Sequence, residues 1–390
     1  MLQSWRWFGP KDPISLTKIR QAGATGIVTA LHEIPAGEVW PKAAIAARKA
    51  LIEAAGLRWS VVESLPVPSS VRLAEPGYEQ LVERYVESLG NLGGLGVKVI
   101  CYNFMPVIDW TRTDLEWRAP DGSIALRFES AAWVAFDVFL LERPGAEGEY
   151  DEAQLAAGRR YFEGLSAAGR EQLVRTVAAG LPGANEKGYS LAGLRKELER
   201  WQNVTPEVLR KRLVAFLEAV VPVCERYDLR MCLHPDDPPR PLLGLPRIAS
   251  CQTDFDALFA AVPSPVNGLT LCVGSLTAGR HNNASDLVRH FASRIHFAHL
   301  RSVLLEPDGS FVEADHLAGD ANLVDVGRVL IHEERRRRAA GSTHAEIAMR
   351  PDHGRVLEGD IADLPGYPWL GRLKGLAELR GMLHAIEQLT

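Results

Sequence analysis

The sequence predicts an α/β fold, a (β/α)8 barrel of the TIM type with a mostly helical insertion after the third strand. Three observations carry this. Short runs rich in Val, Ile and Leu alternate with longer segments of helical periodicity, the pattern of repeated β-α units on a parallel sheet. No Gly-rich turn follows the first of these runs, so the nucleotide signature of an open doubly wound sheet is missing. Roughly a hundred residues separate Phe104 from Thr205, too many for a plain loop in an otherwise regular rhythm.

In chain order the predicted strands are Thr25 to Leu31, Leu57 to Ser64, Val97 to Phe104, Leu229 to Pro235, Leu269 to Ser275, Ile295 to Arg301 and Ile347 to Asp352. Amphipathic segments lie between them, among them PKAAIAARKALIEAAG, YEQLVERYVESLGNLGG and TPEVLRKRLVAFLEAVVPVCERY, and GRLKGLAELRGMLHAIEQL closes the chain. An eighth strand is expected around Pro368 to Gly371. The run Gly90 to Gly96 comes after a helix and before a strand, and reads as a helix end and loop. Residues 1–390 are expected to form one barrel domain. The insertion, residues 105–203, holds DWTRTDLEWRAPDGS and acidic helical stretches, and is expected to cap the C-terminal mouth where the βα loops of a barrel gather.

Composition narrows the function classes. With 46% hydrophobic and 24% charged residues the chain matches a globular protein rather than a disordered or fibrous one. A net charge of -5 provides no basic footprint for nucleic acid or an anionic membrane, and a small-molecule partner is expected. The run Arg335 to Arg338 reads as the solvated end of a helix. The first residues lack the apolar core of a signal peptide and no apolar run approaches the roughly 20 residues of a membrane span, so a cytoplasmic location is expected. The five cysteines form no CxxC pair, unlike a secreted disulfide framework. Of these, Cys101, Cys224 and Cys251 read as inert core thiols.

Four consecutive strands end in a residue that can bind a divalent metal: His234 in CLHPDD, Cys272 in LCVGS, His299 in AHLR and Asp352 in RPDHG. Late positions on neighbouring barrel strands converge at the mouth, within reach of one ion. Two imidazoles, a thiolate and a carboxylate suit Fe²⁺, Mn²⁺, Co²⁺ or Zn²⁺ rather than Mg²⁺ or Ca²⁺. Each residue also has a plain structural reading: Cys272 as a small core hydrophobe, His299 as a core histidine beside Ile295 and Phe297, Asp352 as a turn cap, His234 as part of a proline-rich turn. Their shared position at strand ends favours the metal.

Taken with WRWFGPKDPISLTKIRQAGATGIVTALHEIPAGEVW, YNFMPVIDWTRTDL, CLHPDDPPRPLLGLPRI, FVEADHLAGD and PGYPWLGRLKGLAELRG, these segments resemble the mannonate dehydratase family over essentially the whole chain. The resemblance implies a xylose-isomerase-like barrel and a hydro-lyase that converts D-mannonate to 2-keto-3-deoxy-D-gluconate in hexuronate (glucuronate) breakdown. It implies Mn²⁺ or Fe²⁺, with the ligand positions falling on His234, Cys272, His299 and Asp352. The acid/base pair it implies falls on His353 in PDHG and Tyr367 in PGYPW, with the division of roles left open. A homo-oligomer, dimer or tetramer, is expected of the family.

A polyhydroxy anion needs cationic and amide donors at the mouth. Arg112, Arg301 and Arg350 are candidates for its carboxylate or for supporting the ligands, and Asn103 and Trp110 for completing the pocket. Two other functions use the same features: a metal-dependent sugar isomerase or epimerase, and a non-catalytic sugar-acid-binding protein.

Overall fold

The computed structural model describes residues 1–178 and 189–390. Its strands in chain order are β1 (Leu2–Arg6), β2 (Gly26–Thr29), β3 (Arg58–Glu63), β4 (Val99–Tyr102), β5 (Asp114–Arg118), β6 (Ile124–Phe128), β7 (Arg230–Leu233), β8 (Asn267–Cys272), β9 (Ile295–His299), β10 (Val303–Leu305), β11 (Phe311–Glu313) and β12 (Ala348–Arg350). Eight of them close a barrel in the order β1-β12-β9-β8-β7-β4-β3-β2, every pair parallel.

The eighth strand lies at the opposite end of the chain from its expected place. It is β1, and Pro368 to Gly371 instead opens the last helix, Trp369–Leu389, with Pro368 at the N-cap. The reason is in the side chains. In LQSWR, Ser4 and Arg6 alternate with Trp5, which packs at 5.4 Å against Trp369 of that helix. A five-residue strand with polar residues on alternate positions presents no apolar run to notice. Ser4 is satisfied by donating to the carbonyl of Met349 on β12, 2.7 Å away.

Inside the barrel Leu2, Val28, Val61, Cys101, Cys232 and Phe297 form a buried apolar floor. Outside it, the helices bury a second and larger apolar layer against the strands, which reads as the ordinary two-layer solution for a parallel sheet. At the outer layer the arginine run departs from its expected exposure. Arg337 is buried, paired with Glu333 at 2.7 Å, and donates to the carbonyls of Ala292 and Ile295, so only its neighbours meet solvent. Cys251 also departs from expectation, being half-buried at the start of a helix rather than in the core.

The insertion contains the helices Glu152–Gly164, Ala167–Ala178 and Leu191–Trp201, while its residues 179–188 lie outside the described residues. It also contains the hairpin β5–β6, which extends into a four-stranded antiparallel sheet of order β10-β11-β6-β5. Phe128 on β6 stacks on Phe311 of β11 at 5.4 Å, which ties the insertion to the hairpin following β9.

Candidate metal and acid/base site

Register alone brings the strand ends level. Cys272 pairs with His299 across β8 and β9, and His299 pairs with Arg350 across β9 and β12. His234 follows β7 and donates its backbone N–H to the carbonyl of Tyr102 at 2.8 Å, which fixes it at the same end. As a result, ligand atoms of His234, Cys272 and His299 all lie within 4.8 Å of one another. The Asp352 carboxylate is 3.7 Å from His299 Nδ1 and 3.8 Å from Cys272 Sγ, close to two members of this set. Asp352 adopts the left-handed region (φ 65°), which Asp tolerates better than most residues.

The chemistry of these atoms fits an ion. Nδ1 of His234 is 2.7 Å from the carbonyl of Pro235, which can only accept, so Nδ1 carries the proton and Nε2 is left as a lone pair. His299 is buried and neither ring nitrogen makes a hydrogen bond, although carboxylate oxygens of Glu63 and Asp352 stand 3.3 and 3.7 Å away. A buried imidazole without a hydrogen bond is costly unless something coordinates it.

Above the strand ends lies a dense charged network. Arg301 donates from Nη2 to Asp237 at 2.6 Å and to Ser275 at 2.8 Å, and its Nη1 is 3.1 Å from Glu313 and 2.8 Å from His353 Nδ1. Arg112 joins the same carboxylates, at 3.0 Å to Asp237 and 2.7 Å to Glu313. Gly274 makes room for this arrangement, since a Cβ there would stand 2.4 Å from Arg301 Nε. Arg350 bridges Glu63, at 2.7 Å, and Asp352.

Burial alone would raise these carboxyls, but the arginines win. Arg350 and Arg6 hold Glu63 well below the usual carboxylate range, and Arg350, His353, His299 and Arg301 do the same for Asp352. Tyr367 goes the other way. Burial pushes its phenol up and outweighs the nearby Arg350, although a cation beside it could have been expected to pull it down.

A cleft opens over the strand ends, and His234, Asp352, His353 and Tyr367 line it together with Asn103, Trp110, Arg301 and Arg350. Tyr367 packs edge-on against His353 at 5.1 Å, and Trp110 does so from another side at 6.0 Å. Asn103 reaches Asp109 at 3.4 Å. Arg112 is the exception among the expected substrate contacts: it does not line the cleft, and both its terminal nitrogens are taken by Asp237, Glu313 and the carbonyl of Thr111. It pairs instead with Glu313, whose carboxylate faces His353 Nδ1 at 3.1 Å.

Three participants escaped the sequence reading: Glu63, Asp237 and Glu313. A usable signal did exist for two of them, because Glu63 ends a strand and Asp237 closes the CLHPDD segment that holds His234. Glu313 ends β11, a three-residue strand outside the barrel that no apolar run or alternation announces.

A closed parallel barrel whose strand ends gather two imidazoles and a thiol beneath a charged cleft defines an enzyme of the metal-dependent barrel class. The model of the D-mannonate dehydratase (UxuA) family matches residues 1–390. The chain is 53% identical over 393 residues to the mannonate dehydratase of Chromohalobacter salexigens, each chain being covered in full. It is 50% identical over 385 residues to that of Marinomonas sp. strain MWYL1, covering 98% of both. The crystal structure of mannonate dehydratase from Streptococcus suis serotype 2 superposes with a TM-score of 0.78 at 31% identity, covering 100% of this chain and 94% of that one. The chain belongs to the mannonate dehydratase family. A D-tagatose 3-epimerase-like protein at 12% identity and a TM-score of 0.51 shares the fold. Among the described residues no helix is long and apolar enough to cross a membrane.

Proposed function

We propose that this chain dehydrates D-mannonate to 2-keto-3-deoxy-D-gluconate, with His234, Cys272, His299 and Asp352 holding Mn²⁺ or Fe²⁺ and with His353 and Tyr367 moving the protons. The observation that carries this is the convergence of three ligand atoms within 4.8 Å, one of them on the unsatisfied His299 ring, beside two acid/base side chains in one cleft. When bound, the ion would supply Lewis acidity toward the substrate's carboxylate and 2-hydroxyl.

The remaining work belongs to side chains. The C2 proton must leave toward a base while the C3–O bond breaks, and the departing hydroxyl needs a proton to leave as water. The raised phenol of Tyr367 stays protonated at neutral pH, which supports Tyr367 as the acid at the C3 hydroxyl and His353 as the base at C2. Asn103 and Trp110 would meet the sugar hydroxyls, Trp110 with an indole N–H that makes no protein hydrogen bond. Arg301 and Arg350, already engaged by carboxylates, would act by their charge and by fixing Asp352 and His353. A cytoplasmic location and assembly as a dimer or tetramer complete the reading on the grounds of the sequence.

The test is metal analysis coupled to turnover. With Mn²⁺ or Fe²⁺ and D-mannonate, the protein should form a 2-keto-3-deoxy acid. His353→Gln and Tyr367→Phe should keep the metal and lose roughly 10²–10⁴-fold in kcat. Turnover of an aldose or ketose with no 2-keto-3-deoxy acid would instead favour an isomerase or epimerase, and binding without turnover a sugar-acid-binding protein.

A further inference from the structure

Asn103, Met105, Asp109 and Trp110 of the cleft wall all come from one irregular segment between β4 and β5. In its middle the carbonyl of Pro106 accepts from the Ile108 N–H at 2.7 Å, which closes a three-residue turn on Val107. Val107 stands at φ 58°, a conformation that a β-branched residue strongly disfavours. Backbone in that state persists only where its surroundings hold it.

Two buried arginines from other parts of the chain supply the hold. Arg72, on the helix Ser69–Leu73, donates to the carbonyl of Met105, before the turn. Arg247, in the segment between β7 and the helix Gln252–Ala261, donates from Nη2 to the carbonyl of Ile108 at 2.8 Å, after it. The chain then reaches Trp110 within two residues, so Arg247 grips the side of the turn that carries the indole.

Arg247 is not needed to brace its own loop. Its Nε and Nη1 make no hydrogen bond, and Nη1 stands 3.7 Å from Asp236, in ion-pair range only. Asp236 already accepts from the Ala249 N–H at 2.9 Å and from the Ser250 hydroxyl at 2.8 Å. A buried cation whose one hydrogen bond goes to a neutral carbonyl is costly, which marks that carbonyl as the point of the arrangement. We propose that Arg247 is a positioning residue for substrate binding: by holding Ile108 against the strain at Val107, it keeps Trp110 on the cleft wall. Trp110 is otherwise held by its ring alone, edge-on to His353 at 6.0 Å and under the Arg112 guanidinium at 4.8 Å, and its indole N–H has no protein partner. Its place along the cleft is therefore set by the backbone that Arg247 anchors.

This inference rests on the cleft binding D-mannonate, and steady-state kinetics of the metal-loaded protein separates the two ideas. Arg247→Met should raise KM about tenfold, the effect of one lost hydrogen bond from a charged donor, with kcat within about threefold and metal content unchanged. Arg247→Lys, which keeps a cationic donor for a single carbonyl, should return KM to within about threefold of the parent. Arg247→Gln, polar beside Asp236 but ending two bonds short of Nη2, should act as the methionine variant does and serves if that one fails to fold. Trp110→Phe should raise KM by itself, and adding Arg247→Met to it should cost less than about twofold more, because the second change acts through the first residue. Effects that multiply in the double variant, an unmoved KM in both Arg247→Met and Arg247→Gln, or a loss confined to kcat or metal content would overturn the proposal. A parent that forms no 2-keto-3-deoxy acid would instead overturn the substrate assignment, and this inference with it.

Discussion

At the strand ends, His234, Cys272 and His299 are held by barrel geometry with few polar contacts of their own, and both nitrogens of His299 are unsatisfied. A few ångströms above, every terminal nitrogen of Arg112 and Arg301 is engaged, and Asp237 and Glu313 each receive both arginines. The first region gathers donor atoms of the kind an ion would need. The second is a finished scaffold that already balances its charges. A site that must accept a cation while keeping a base and an acid in place needs both kinds of ground, because groups that answer each other are not free to answer a ligand.

Removing a ligand should break the first region and spare the second. Cys272→Ala is expected to abolish bound metal and lower activity by more than about 100-fold. Melting should change little, since Ser275, 3.0 Å from that sulfur, keeps its bonds to Asp237 and Arg301. Metal content, turnover and a thermal melt decide it. Full metal occupancy in this variant would remove Cys272 from the coordination sphere.

The two regions also differ in how far the sequence discloses them. The proposed ligands lie at strand ends, and a strand's period of two fixes which residues face inward, so His234, Cys272, His299 and Asp352 could be picked from seven correctly located strands. The network has no such period. Arg112 and Glu313 are 201 residues apart, and what joins them is a β6–β11 pairing of two short strands in segments that carry no strong alternation. The same weakness hid β1, whose polar residues belong to the barrel interior. Arg112 was visible as a cation near the mouth, but its direction, away from the cleft and toward two carboxylates, depended on that unseen sheet.

Arg112→Met tests the scaffold directly. It leaves buried Asp237 and Glu313 with Arg301 as their remaining guanidinium partner, and breaking such a pair should cost about 3–5 kcal/mol of stability. Denaturant or thermal unfolding measures the loss. Metal content should persist at moderate temperature, because no ligand is touched. If the metal leaves as well, the regions are one cooperative unit and the contrast drawn above fails.

Acid should separate the regions in sequence, with the smallest effect at any single pH. Burial alone would raise the carboxyl of Glu313, yet Arg301, His353 and Arg112 outweigh it and hold the group at about 2, below its ordinary 4.5. Asp237 is shifted in the same direction by Arg112 and Arg301 against its own burial. For a carboxyl with a depressed pKa in the folded state, the stabilisation is complete above the unfolded value and drains away as pH falls toward the folded one. The scaffold should therefore hold its melting temperature down to about pH 4.5 and lose it progressively toward pH 2. Metal binding displaces protons from its ligands, so a falling pH should release the bound ion first, while the fold still melts normally. Metal retained after filtration, followed in parallel with thermal melts from pH 7 downward, provides the two curves. Two separated transitions would support independent ground for ion and scaffold, and a melting temperature that falls in step with metal release would show that the ion itself holds the charged network together.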